Sequence, residues 1–431
     1  MPHFSATELS AGIALRLPRA VALAVVLALP FASAPARAAN FTVTRTDDQL
    51  DTSPGDGFCI AQNGGGCSLR AAVQEANALF GADGIYLPAG TYTLSRAGAG
   101  EDLAATGDLD VTSAITLLGD GWWASTIQMT AALDRIFHVQ GFAALELGDV
   151  TLTGGVVAGV GGGVHVQAGG AFELSRSRIR SCSAHHGGAI GAIGGSVTVE
   201  DSELSENVAT EDPPTWYARG PALASFDGAT VTVRRSSLHG NHTASGTLFG
   251  ISVLDSTLAI ESSSIVEDAF TGAYSVAAEE SDVTIVSSTL SRVTASGLAP
   301  PDVTLSLGCS IVGYCSYTGG NMLYANNGLN VFFDGSPCVG ASDVDGEWNL
   351  FPLWAPPGKF PARVPNSYSA ALDGGHAFVC AADDQWSQSL RPYDNDGDGI
   401  AVVDVGAVEA SLIFLDDFES GGTWNWSDTE P

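Results

Sequence analysis

The residues able to do chemistry fall into three groups. Asp394, Asp396 and Asp398, followed by Gly399, alternate carboxylates along a glycine-bearing turn, an arrangement that converges oxygens on calcium. The set is half of an EF-hand loop: Val405 stands at the twelfth position in place of Glu, so Asp404 or Glu409 would have to complete the ligands. A second group, Arg178, Arg180, Glu203 and His239, sits at equivalent places in successive copies of a repeat. The third, Trp122-Trp123 and Trp216-Tyr217, falls in inserted loops, where exposed aromatics stack on sugar rings, dock a partner, or simply cap apolar surface.

What must position these side chains is a recurring phrase. It runs Phe172 to Cys182, Val197 to Asn207, Val231 to Asn241, Leu258 to Asp268 and Val283 to Val293. Counting the first residue as zero, apolar residues stand at zero, two and seven, and Ser at five. Alternation puts zero and two on one face of a strand, with seven on the next strand after a bend. A single coil cannot bury such faces, but coils stacked about 4.8 Å apart lay each apolar residue over its equivalent. Phe172, Val197, Val231, Leu258 and Val283 then form one column, and Ser177, Ser202, Ser236, Ser263 and Ser288 an inward hydroxyl ladder. Asn207 and Asn241 add stacked amides. The pattern predicts an all-β parallel solenoid; a sandwich would not need Ser at one offset every time.

Offsets six and eight face outward. Arg178, Glu203 and Ser237 form one column and Arg180, Ser205 and His239 the next. A lyase would need a base beside a uronate, and a glycosidase two or three carboxylates flanking the bond. Neither an Asp-Asp pair nor Gly-His-Gly occurs in the rungs; Asp383-Asp384 lies outside them, and Arg178 beside Glu203 reads as an ion pair. His185-His186 reads as a turn pair, and Asn241-His-Thr243 as a glycosylation acceptor whose Asn faces inward.

Arg16 and Arg19 precede the apolar run from Ala20 to Phe31, and Ala36-Arg-Ala38 supplies small residues for cleavage, so residues 1–38 read as a secretory signal. No later apolar run is long enough for a transmembrane segment. Removing the signal changes the net charge from −31 to −33, which disfavours nucleic acid and polyanions and suits divalent cations and neutral or cationic partners. Seven cysteines in an exported chain imply a few disulfides. Spacing suggests Cys59 with Cys67, Cys309 with Cys315, and Cys338 with Cys380, leaving Cys182 as a buried thiol.

Cys67-Ser-Leu-Arg-Ala-Ala-Val73, followed by Glu75-Ala-Asn77, resembles the Cys-Ser-Leu-Arg-Glu-Ala motif of bacterial exported right-handed parallel β-helix proteins, with Ala71 in place of the Glu. Ser68 can cap a short helix whose Leu69, Ala72, Val73 and Ala76 share a face and close the open solenoid end. Asp83 to Leu94 is similar to the first rung of pectin-lyase-like folds, and the motifs from Ser369 to Glu409 fall in the order in which that family ends. The expected layout is a signal over 1–38, a cap over 39–82, a β-helix of eight to ten coils over 83–316, a loop-rich cap over 317–410 and a tail over 411–431. The resemblance implies an exported β-helix, and the loop aromatics make it a secreted or cell-surface scaffold that binds carbohydrate or a surface protein. The alternative is a carbohydrate-active enzyme on the same fold.

Overall fold

The computed structural model describes residues 38–130, 134–210, 220–244, 249–266, 274–296, 303–318 and 322–328, with shorter stretches between 330 and 408. The protein is an all-β parallel β-helix with one described helix. An 11-stranded parallel sheet, the first wall, runs from Asn40–Thr42 through Ala171–Ser175, Ser196–Glu200 and Thr230–Arg234 to Met322–Asn326. The second wall contains Ser125–Met129, Thr151–Thr153, Arg178–Arg180, Glu203–Ser205 and Ser237–His239. The third contains Leu109–Val111, Phe137–Val139, Val164–Val166 and Ile190–Ile193. The long strands Thr289–Ser296 and Ile311–Thr318 run along both of these walls and join them into one 18-stranded sheet.

Register follows the sequence phrase. Phe172 lies opposite Val197, then Val231, Leu258 and Val283, and Leu174 opposite Val199, Val233, Ile260 and Ile285. Ile179, Leu204, Leu238, Ile265 and Leu290 align on the second wall. All are buried, and one apolar core continues from Phe41 to Cys338. Displacing any strand by one residue would turn this column outward, so burial fixes the register.

The corner between the first and second walls has a construction of its own. The residue before each ladder serine, Arg176, Asp201, Arg235, Ser262 and Ser287, adopts left-handed φ between 46° and 49° without being glycine. Such a turn costs a non-glycine residue about 1 kcal/mol and takes the following backbone N–H out of the strand pattern. The hydroxyl ladder supplies the missing acceptor. Ser177 N donates to Ser202 Oγ at 3.1 Å, Ser202 N to Ser236 Oγ at 3.2 Å, Ser236 N to Ser263 Oγ at 3.1 Å and Ser263 N to Ser288 Oγ at 3.2 Å. Each hydroxyl in turn donates to the carbonyl two residues before it, as Ser202 does to Glu200 at 2.7 Å. The series extends to Val150 N above and through Ser310 to Asn330 Oδ1 below. A parallel amide series joins Cys182 N to Asn207 Oδ1 and Asn207 N to Asn241 Oδ1, at 3.0 and 3.1 Å. Asn241 is fully buried and bonded through its amide, which removes it as a glycosylation acceptor in the folded chain.

The helix, Leu69–Ala78, starts at Ser68, whose hydroxyl accepts from Ala71 N at 3.2 Å. Its buried face holds Leu69, Ala72, Val73 and Ala76. The motif arginine is the largest fully buried side chain among the described residues: Arg70 pairs with Asp48 at 2.6 Å and donates to the carbonyls of Ala104, Gly107 and Asp108. Glu75 accepts from Gly55 N and Gly57 N, and Asn77 donates to Asp110 O at 2.7 Å. One helix thus gathers both the N-terminal loop and the loop after the first rung.

Two sequence expectations need correction. Cys59 does pair with Cys67, but Cys309 pairs with Cys380 and Cys315 with Cys338. Cys315 lies on the strand Ile311–Thr318 and Cys309 precedes it. Extended chain advances about 3.3 Å per residue, so the two are carried too far apart for a bridge. Cys182 is free and buried, its thiol pushed up to about 12 by burial, so it is not a nucleophile at neutral pH. The stretch after Gly319, expected as loops, continues the parallel pairing through Met322–Asn326, Val331–Phe332 and Val344–Asp345. Two of these strands are only two residues long, too short for alternation to register.

Ser202→Ala removes the acceptor of a buried N–H and is expected to lower unfolding stability by about 1–3 kcal/mol, measured by chemical denaturation. Arg70→Met strands the buried Asp48 carboxylate and should cost about 3–5 kcal/mol in the same assay.

Candidate functional site

Because the corner residues stack in register, their side chains form an outward column too. Asp149, Arg176, Asp201 and Arg235 alternate in charge down it, with Arg176 paired to Asp149 at 2.6 Å and Arg235 to Asp201 at 2.8 Å. These four residues floor a cleft of about 390 Å³. Trp122, Trp123, Lys359, Phe360 and Gln385 complete its lining. The lining carries two carboxylates against three cations, so the cleft does not share the acidic excess of the chain.

Lys359, Phe360 and Gln385 are brought in by the C-terminal segment. Asp383 pairs with Arg234 at 3.1 Å and Arg235 at 3.0 Å, and Glu200 also contacts Arg235. The Cys309–Cys380 disulfide ties the chain three residues before Asp383 to the solenoid. Lys359 donates to Trp386 O, and Trp386 Nε1 donates to Phe360 O at 3.0 Å. This C-terminal part of the lining is therefore anchored at several points.

The two tryptophans do different things. Trp122 lies under the Arg178 guanidinium, 4.3 Å from the ring centre, and against Phe360 with centroids 5.3 Å apart. That makes it a packing residue. Trp123 meets Trp122 edge to face at 5.6 Å and is 69% exposed. Its indole crosses Gly121, where φ is 128° and an added Cβ would come within 2.8 Å of the ring. Only glycine lets the loop hold the indole there.

Behind this cleft is the outward column expected on the second wall. Arg178 lies in register with Glu203 and Ser237, and Arg180 with Ser205 and His239. Glu203 is 3% exposed; it takes Arg178 at 2.8 Å and the Ser205 hydroxyl at 2.6 Å, with His239 Nε2 at 3.5 Å. Burial alone would raise its carboxyl, but the facing His239 and Ser205 side chains and the Arg178 charge outweigh this and hold it below the usual range. Glu203 is thus a committed anion, and Arg180 is the exposed member of the group.

A further polar group stacks on the third wall, where Asp110, His138 and His165 are neighbours in register. The two imidazoles are parallel, 5.1 Å apart, and Asp110 Oδ1 faces His138 Nδ1 at 3.0 Å. Burial, then the charges of Arg135 and His138, hold His165 down to about 3. Burial, then Asp110 and Asp134, push Asp108 up to about 8 against the pull of Arg135.

Trp216, Tyr217, Asp394, Asp396 and Asp398 lie outside the described residues. The sequence pattern marked Trp122, Trp123, Arg178 and Glu203; it missed Phe360, Lys359 and Gln385, which reach the cleft only through tertiary contacts. The alternating charges at offset four were readable as a column once the register was known.

Comparison with protein-family models, with curated proteins and with solved structures gives no match. No helix among the described residues is long and apolar enough to cross a membrane.

Glu203→Gln leaves Arg178 without its counter-charge; because Arg178 is about one-fifth exposed, the loss should be near 2 kcal/mol. Glu203 has a depressed folded-state pKa, so its contribution is complete above the ordinary value of 4.5 and disappears as pH falls through the folded value. Stability of the parent chain should drop more steeply than that of Glu203→Gln below about pH 4.5, measured by unfolding across a pH series.

Proposed function

We propose that this chain is an exported β-helix scaffold that binds a neutral or weakly charged glycan in the cleft between Trp123 and Phe360. The observation that carries the reading is an exposed indole, given room by Gly121, that lines one cleft with charge-paired carboxylates and guanidiniums. Indole faces pack against the apolar faces of pyranose rings. Paired carboxylates and guanidiniums offer acceptors and donors to ring hydroxyls without selecting a charged ligand.

Export is supported by the signal-like N-terminal segment, by three disulfides, and by the resemblance of residues 67–77 to exported β-helix proteins. The engagement of Glu203 by Arg178 and Ser205 supports binding over acid–base catalysis, since a group held as an anion by several partners is a poor proton donor.

Neutral glycans on an array, followed by calorimetry on those retained, test the reading. Trp123→Ala should weaken binding at least about tenfold while leaving the unfolding midpoint unchanged, and a chelator should have no effect on this site. Absence of any retained neutral glycan, or equal binding by Trp123→Ala, would refute it.

A further inference from the structure

The third-wall group described above has the chemistry of a cation site, separate from the corner cleft. Asp110 is fully buried and His138 is 6% exposed, whereas the Asp102 side chain is 72% exposed. One ligand atom from each of Asp102, Asp110 and His138 lies within 4.8 Å of the others. His138 Nδ1 is 3.0 Å from Asp110 Oδ1 and 3.9 Å from Asp102 Oδ1. Three atoms so spaced fit around one point roughly 2.1–2.4 Å from each, the bond length that divalent cations make to nitrogen and oxygen.

The group is also held in place for this role. The His138 ring is kept parallel to the His165 ring stacked on it, with Nδ1 toward Asp110 and Asp102. The Asp110 carboxylate and the Asp102 backbone are also held from outside the group. Gln140 Nε2 donates to Asp110 Oδ1 at 3.2 Å and to Asp102 O at 3.1 Å, while Ala104 N donates to Asp110 Oδ2 at 2.9 Å. Arg135, the nearby cation, is committed to Asp108 at 3.2 Å.

We propose that Asp102, Asp110 and His138 form a divalent-cation site of the first-row transition-metal type, best probed with Zn²⁺. An imidazole with two carboxylates suits such ions, whereas Ca²⁺ prefers six to eight oxygens. Asp110 and His138 belong to the wall, and Asp102 to the loop that Arg70 grips through Ala104 and Gly107. A bound ion therefore fastens the loop after the first rung to the third wall. Asp102, at the exposed side, is the point of entry.

Equilibrium dialysis of the full, tag-free, chelator-washed chain against Zn²⁺ tests this. One ion should bind with a micromolar or tighter Kd, at least tenfold more tightly than Ca²⁺, and raise the unfolding midpoint by several degrees. Asp102→Ala, an exposed change that spares the fold, should weaken Zn²⁺ binding at least tenfold, and His138→Gln should do the same. A variant with Asp394, Asp396 and Asp398 all changed to Asn should keep it. No Zn²⁺ binding below about 100 µM by the folded chain would overturn the proposal. So would parental affinity in Asp102→Ala, which stays decisive if His138→Gln fails to fold, or loss of binding in the triple Asn variant alone.

Discussion

The hydrogen bond from a corner amide to the serine hydroxyl of the next coil is the contact on which this molecule depends. A β-helix must turn at every coil, and here it does so with non-glycine residues in the left-handed region. That turn removes an N–H from the strand ladders and leaves it in the dry interior. A hydroxyl directly below, itself donating to a carbonyl of its own coil, satisfies the N–H and leaves no polar atom over. Because the acceptor comes from the neighbouring coil, the corner is satisfied only when coils are in register. The apolar columns then follow, and so do the outward columns, which is how Asp149, Arg176, Asp201 and Arg235 come to pair into a cleft floor.

Much of the frame was legible because a solenoid repeats its solution. The recurrence of Ser at one offset exposed the ladder, and the apolar zeros, twos and sevens exposed the core. What preceded each serine was not legible: Arg176, Asp201 and Arg235 are unlike one another and carry no mark of a left-handed turn. Ser68, Leu69, Ala72 and Val73 declared a capping helix through local periodicity. The role of Arg70 did not show, since its partners Asp48, Ala104, Gly107 and Asp108 are distant in sequence. The disulfides failed for the same reason: proximity in sequence favoured Cys309 with Cys315, while the strand between them carried each to a different partner.

The candidate sites divide similarly. Trp122 and Trp123 stood out by composition, but only packing separates them, one covered by Arg178 and Phe360, the other open. Arg178 and Glu203 stood out as an ion pair, and the structure deepens it: Glu203 is buried, so the pair also fixes the wall behind the cleft. Asp110, His138 and His165 escaped notice because they precede the recurring phrase that starts at Phe172 and lie on a wall that the phrase does not cover. Their spacing is close to that of the repeat, but an Asp and two His share no apolar or hydroxyl signature that would mark them as a column. The two sites have different chemistry, a charge-paired aromatic cleft at one corner and an acidic, imidazole-bearing pocket on another wall.

Amide hydrogen exchange resolved to single residues tests the corner contact most directly. The amides of Ser177, Ser202, Ser236 and Ser263, which no strand partner holds, should exchange as slowly as those of Leu174 and Val199 within the first wall. Exchange at these serines as fast as at exposed loop amides, with Leu174 and Val199 still protected, would contradict the account.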